Sequence, residues 1–411
     1  MPRNAHVAPL ALTALLTTCS AAAWARDGMQ EVPVSDFAIP PAGDLRLIQD
    51  RLELHPLALL GVGWISDVDP VTSRGSDSYE RGLVGLLARY LPNPDWNARF
   101  EGELERVRYN RFSDQDATIG RLRLGGDYTG VGFSLKGTGG WTSTQDALVI
   151  SGEQVLRDTY DLAVSGRRQV VADWWEEAAL EWNYLNYRDS TSLFNQDEAD
   201  HTTWSGDLRV GSGEHEDQYW FAGRLEFVDY PSGPRFNDCR ALIASAGRRW
   251  PLGPRTSLHA EGGVIGRFYA DDFLKDSAFD DRTVIWPKVD AGAEWLWEES
   301  SRVGLRLFST AGDGLSSNAE TSYGVAGDMR LRLQRRCALI VNFALSRDRN
   351  SGAPAGAEVP ERQVANGSVA LQYEFVEGLS AHLRFLGSHV DANGGISYNR
   401  EQLSADIAYA Y

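Results

Sequence analysis

With 411 residues and a formal charge of −17 at pH 7, from 57 acidic groups against 40 basic ones, the chain is long and strongly acidic. Phosphate recognition needs net positive surface, so nucleic acid is excluded as a partner, and so is adhesion to anionic lipid through basic patches. No run of eighteen apolar residues follows the leader, which excludes a membrane-spanning helix.

Arg3 and His6 open the chain, an apolar run from Val7 to Leu16 follows, and Ala23-Trp24-Ala25 puts small residues where a signal peptidase cleaves. Residues 1–25 are therefore expected to be a secretory signal peptide. Leu16-Thr17-Thr18-Cys19 offers a lipoprotein box as the alternative, but Thr18 is a poor residue before a lipidated cysteine. Residues 26–50, with Pro33, Pro40 and Pro41, are expected to form a periplasmic lead segment, either a linker or a strap into the interior. Cys239 and Cys337, the two cysteines left after processing, are expected on distant strands as free thiols, with a disulfide formed in the oxidising periplasm as the alternative.

From residue 51 to 411 the pattern has a period of two. Trp96, Ala98, Phe100, Gly102 and Leu104 alternate with Asn97, Arg99, Glu101, Glu103 and Glu105, so an extended strand has one apolar and one charged face. Tyr219–Phe227, Tyr323–Leu333 and Leu403–Tyr411 repeat this. Eighteen such segments are predicted, near 51–64, 79–91, 95–110, 117–128, 130–143, 154–166, 173–188, 202–212, 217–230, 239–250, 255–269, 284–298, 301–312, 321–334, 337–349, 363–376, 379–391 and 401–411, with sixteen as the alternative count. Long connections (Ile65 to Ser78, then about 144–153, 189–201, 231–238, 270–283, 350–362 and 392–400) tend to alternate with short ones. The short ones are Pro92-Asn93-Pro94, Tyr128-Thr129-Gly130, Pro251-Leu252-Gly253-Pro254, Glu299-Ser300, Arg335-Arg336 and Glu377-Gly378. Trp64, Trp141, Trp204 and Trp286 fall near one set of strand ends. Trp96, Trp174, Trp175, Trp220, Trp250, Trp295 and Trp297 fall near the other, leaving Trp182 in mid-strand, as two interfacial aromatic girdles require.

Hydrocarbon offers backbone N–H and C=O groups no partners, so strands crossing it must close into a ring. The expected fold class is all-β: a transmembrane antiparallel up-and-down β-barrel of about 18 strands over residues 51–411, in a Gram-negative outer membrane among its lipid and lipopolysaccharide. Both termini then lie in the periplasm and the long loops outside. The closing segment ends on Tyr411, an aromatic end of the type through which the barrel assembly machinery recognises its clients. A ring this wide is not filled by its own side chains, so its lumen is expected to be wet.

Candidate pore-lining residues follow from the charged faces. Arg302, Arg306, Arg330 and Arg332 sit on neighbouring segments as a basic wall, Arg384 lies further on, and Glu101, Glu103 and Glu105 stand roughly across the ring. Two opposed rows would make a transverse field at a constriction. The competing reading is a polar lumen whose charges of both signs pair locally. The carboxylates Asp271, Asp272, Asp276, Asp280 and Asp281 lack the spacing of a defined calcium loop and read as a solvated acidic loop. His55, His201, His215, His259, His382 and His389 match no nucleophile or zinc motif, so no catalytic residue, metal or cofactor is expected.

The segment Leu52-Glu53-Leu54-His55-Pro56, continuing to Gly61-Val62-Gly63-Trp64-Ile65-Ser66-Asp67-Val68, resembles the opening of the β-barrel porin 2 family. Leu156-Arg157-Asp158-Thr159-Tyr160 and Asp207-Leu208-Arg209-Val210-Gly211 are similar in style. The resemblance implies an outer-membrane pore, encoded beside surface-polysaccharide export machinery, with no catalytic residues to carry over. The expected function is a pore passing hydrophilic solutes or a polysaccharide. The alternatives are an outer-membrane enzyme with a Ser/His/acid cluster at the outer rim, a structural barrel without transport, and a soluble periplasmic β protein.

Overall fold

The computed structural model describes residues 45–47, 51–68, 75–147, 154–171, 173–188, 199–213, 217–231, 237–270, 282–298, 301–314, 318–350, 361–393 and 397–410. The signal peptide, most of the lead segment, the Asp271–Asp281 carboxylates, His215, Glu299-Ser300 and Tyr411 lie outside the described residues. A three-residue β1 (Leu45–Leu47) precedes β2 (Leu52–Ile65), β3 (Asp77–Asn93), β4 (Trp96–Tyr109), β5 (Ala117–Gly130), β6 (Phe133–Ala147) and β7 (Gln154–Val171). Then come β8 (Trp174–Tyr187), β9 (His201–Ser212), β10 (Gln218–Asp229), β11 (Cys239–Gly253), β12 (Thr256–Tyr269) and β13 (Thr283–Glu298). The set ends with β14 (Ser301–Asp313), β15 (Ala319–Gln334), β16 (Cys337–Asn350), β17 (Glu361–Val376), β18 (Leu379–Asn393) and β19 (Tyr398–Ala410).

From β2 to β19 each strand pairs antiparallel with the next, and β19 pairs back onto β2 from Gln402↔Ile65 to Ala410↔Leu57. The result is a closed antiparallel ring of eighteen strands. At ordinary strand spacing and tilt, a round barrel of this size measures roughly 35 Å across its backbone. β1 pairs with β2 beyond the end of β19, Leu45 facing Leu54. The predicted segments match the strands to within a few residues. Tyr128-Thr129-Gly130, expected as a turn, belongs to β5; the turn is Val131-Gly132, where Gly132 adopts a φ of 70°. β11 likewise runs through Pro251 to Gly253, with a register shift there.

The alternation has the physical result expected of it. Leu60, Leu180, Phe221, Ile285, Leu305 and Ile407 point outward and are exposed, Leu60 by 74 %. A water-soluble monomer does not carry so continuous an apolar belt; lipid does not penalise it. This is a transmembrane barrel. Short connections cluster at one end, here the turn end, and long ones at the other, the loop end. Outward aromatic rings meet near the turn end as Trp96–Tyr128 and Trp295–Trp297, and in the loop-end half as Trp182–Trp204. Three tryptophans expected in the girdles face inward instead: Trp175, Trp220 and Trp286, the last in register with the buried Ile265. Trp174 and Trp175 are consecutive, so a strand can send only one of them to lipid.

Two ladders part before reaching the loop end. β13 and β14 pair only from Glu298↔Ser301 to Val289↔Ser309, although both strands continue. Pro287 has no N–H to give and sits where that pairing has ceased. Beyond it the β14–β15 tip folds into the barrel. Ala319, fully buried, packs with the inward-facing Val228, Cys239, Tyr269 and Val284 of β10 to β13. Asn237 Nδ2 donates to Asn318 Oδ1 at 2.9 Å. β5 and β6 similarly part after Arg121↔Thr142.

Candidate functional site

The candidate site is the inner face of the ring. All eight predicted pore-lining residues stand at inward positions, opposite in parity to exposed neighbours such as Leu104, Leu305, Leu333 and Leu383. Their charges, however, are mostly matched close by.

The largest knot spans the closing seam. Arg81 on β3 donates from Nε to Asp406 Oδ1 at 2.8 Å and from its terminal nitrogen to Oδ2 at 2.7 Å. Glu105 on β4 lies 3.5 Å from the same guanidinium, and Arg384 on β18 stands 4.0 Å from Asp406. The side chains of Arg81 and Asp406 are each 1 % exposed. β2 runs between them, and the pair passes over Gly61, where a Cβ would sit 2.9 Å from the Asp406 carboxyl carbon and closer still to its oxygen. A glycine there is what lets two strands join hands across a third. Glu105 and Arg384 thus belong to one arc of wall, not to facing rows.

The basic wall is assembled as expected, Arg302 directly opposite Arg330 on β14 and β15, but it is largely neutralised. Arg306 donates to both oxygens of Asp290 at 2.8 and 2.7 Å, and His259 shares that carboxylate at 3.2 Å. Arg302 lies 3.3 Å from Asp328. Arg332, exposed at the turn end, donates to the Arg335 carbonyl at 2.8 Å. Glu101 pairs with Arg121 at 3.4 Å. Further round, Arg224 bridges Glu181 and Asp207 at 3.1 and 3.0 Å, and Lys288 pairs with Glu261. The transverse field expected of opposed rows is therefore corrected to local pairing: strands of opposite charge neighbour one another, which satisfies each group within the wall. Arg330 is the exception among the predicted residues. It has no hydrogen-bond or ion-pair partner among the described residues, and the residue directly opposite it, Arg302, carries a like charge.

The tucked β14–β15 tip is fastened by charge. Arg267 on β12, buried, donates to Glu226 at 3.1 Å, to the Tyr269 hydroxyl at 2.9 Å and to Asp313 at the end of β14. Tyr269 donates to Asp313 as well, at 3.0 Å. Sequence reasoning missed this latch, although Pro287 within a strand was a readable sign that the ladder would break.

Ser380 Oγ lies 2.8 Å from His382 Nε2, and His382 faces Asp406 across β18 and β19. This brings together the residue types of a hydrolase, but at the turn end instead of the outer rim. Ser380 is fully buried and Asp406 is held by Arg81, so the group is a packed part of the wall. Among the described residues no three His, Cys, Asp or Glu side chains converge as a metal site. Cys239 and Cys337 are free thiols on β11 and β16.

No family model matches the chain, and no curated protein matches it. Solved structures do. A BenF-like porin from Pseudomonas fluorescens Pf-5 is 11% identical with a TM-score of 0.48, covering 87% of this chain and 98% of its own. Pseudomonas aeruginosa OpdK, solved with vanillate, is 12% identical with a TM-score of 0.46 over 87% and 98%. Pseudomonas aeruginosa OccK2 (OpdF), in complex with glucuronate, is 11% identical with a TM-score of 0.47 over 90% and 99%. The fold itself rests on the chain's own ring closure and apolar belt, which make it a closed, eighteen-stranded antiparallel transmembrane β-barrel.

Proposed function

We propose that the protein is an outer-membrane channel through which small hydrophilic solutes diffuse, its loop end facing outside. One observation carries this reading: a single ring of strands holds an apolar face to lipid and an ion-paired polar face around a lumen too wide for side chains to fill. The signal-peptide reading of residues 1–25 supplies the export route, and the C-terminal segment that carries β19 is the one offered to the barrel assembly machinery. Outer-membrane lipid and lipopolysaccharide surround the belt.

The finer role implied by the resemblance to the β-barrel porin 2 family, passage of a surface polysaccharide, rests on the short segments quoted for it. The tucked β14–β15 tip favours small solutes. Purified protein in a planar bilayer is expected to give stepwise conductance, and in liposomes to admit glucuronate and vanillate, the small molecules bound in two of the neighbouring barrels, while excluding a linear oligosaccharide. A membrane that stays sealed at all voltages sinks the channel reading.

A further inference from the structure

Along β8 to β13 the inward side chains include three large rings, each facing a bare glycine on the next strand. Trp175 on β8 is in register with Gly211 on β9, which is in register with Trp220 on β10, which is in register with Gly247 on β11. His259 on β12 faces Gly292 on β13. The rings occupy the space that a side chain at those glycines would need. A Cβ on Gly211 would stand 2.6 Å from Cε2 of Trp175, one on Gly247 would stand 2.8 Å from the indole nitrogen of Trp220, and one on Gly292 would stand 2.5 Å from Cε1 of His259.

Other contacts agree that the rings lie along the wall. The Arg167 guanidinium covers Trp175 at 3.9 Å from the ring centroid, and the indole is 3 % exposed. The His259 imidazole leans over β13 to reach Asp290 at 3.2 Å. The indole nitrogens of Trp175 and Trp220 are buried without an acceptor among the described residues, because their edges rest over glycine and not toward water or a carboxylate. An inward ring on an ordinary strand stands roughly perpendicular to the sheet and projects into the lumen. Here that projection is removed by the strand beside it.

We infer that Gly211, Gly247 and Gly292 are seats that set the bore of the lumen, and hence the size of solute admitted, by letting Trp175, Trp220 and His259 lie flat. This deepens the channel reading and rests on it. A side chain at a seat lifts the ring into the lumen and narrows it. Two glycines on the lipid face, Gly223 and Gly262, serve as the contrast: a Cβ on either meets nothing within 4 Å.

The test compares single-channel conductance of wild type, Gly247→Val, Gly223→Val and the double variant Gly247→Val with Trp220→Ala, each first checked for resistance to unfolding in detergent. Conductance is expected to fall in Gly247→Val, to stay at the wild-type value in Gly223→Val, and to recover in the double variant, where the lifted ring is gone. Wild-type conductance in Gly247→Val, or no recovery in the double variant, overturns the inference. In parallel, hydroxyl-radical labelling resolved by residue is expected to rise at Trp220 in Gly247→Val only. If wild type itself does not conduct, the channel reading falls alone, and labelling still decides whether the ring has a seat: unchanged labelling at Trp220 in Gly247→Val overturns it.

Discussion

Replacing Asp406 by Asn removes one charge from the knot at the closing seam while keeping its shape. Both partners are 1 % exposed, so solvent screening, which reduces most surface pairs to almost nothing, is absent here. Two direct bonds at 2.8 and 2.7 Å are weakened, while Arg81 keeps Glu105 at 3.5 Å. Removing one member of a buried pair costs about 3–5 kcal/mol. For a chain of this size, with a urea slope of at least about 3 kcal/mol/M, the unfolding midpoint should fall by about 1 M. Arg81→Met should cost a similar amount. The double variant should cost less than the two singles together by more than about 0.5 kcal/mol, because the second change removes the guanidinium whose two-point carboxylate partner the first took away. Strict additivity, or a midpoint unmoved by Asp406→Asn, would refute the claim that this pair fastens the first strands to the last.

Three other outcomes are expected. Asp313→Ala frees the β14–β15 tip from Arg267 and should raise channel conductance and its noise; unchanged traces would mean the tip is held by packing alone. Arg330→Ala and Arg306→Ala should each move ion selectivity toward cations, but only Arg306→Ala, which strips Asp290 of its two-point partner, should also lower stability. Equal losses of stability would contradict the assignment of Arg330 as unpaired. Leu60→Arg places a charge on the lipid face and should destabilise the barrel in a bilayer by about 2–4 kcal/mol if it lies near the midplane, less toward the interfaces.

The strands were legible because alternation is local: Trp96–Leu104 declares its two faces within nine residues, and closure follows from the chemistry of hydrocarbon. The pairing of charges was not. Glu105 and Arg302 read as members of opposed rows because their inward parity is visible in sequence, whereas their partners Arg81 and Asp328 are fixed by the order and stagger of strands. Asp406 lies 325 positions from Arg81, and no local pattern links them. Trp175 and Trp220 were assigned to a girdle on their distance from strand ends alone. The parity of their exposed neighbours Trp174 and Tyr219, and the inward glycines Gly211 and Gly247, were the available signals that they turn the other way.

Joining β19 to β2 also has a kinetic consequence. Neighbouring hairpins need only short searches, but the seam requires segments more than 300 residues apart to find one another, the slowest kind of event for a chain. Until then a nearly finished sheet carries two raw margins, each a template for mispairing with another copy. Circular permutation would move this final search to a different pair of neighbours without shortening it, so the delay belongs to the circle itself and to no particular residue in it.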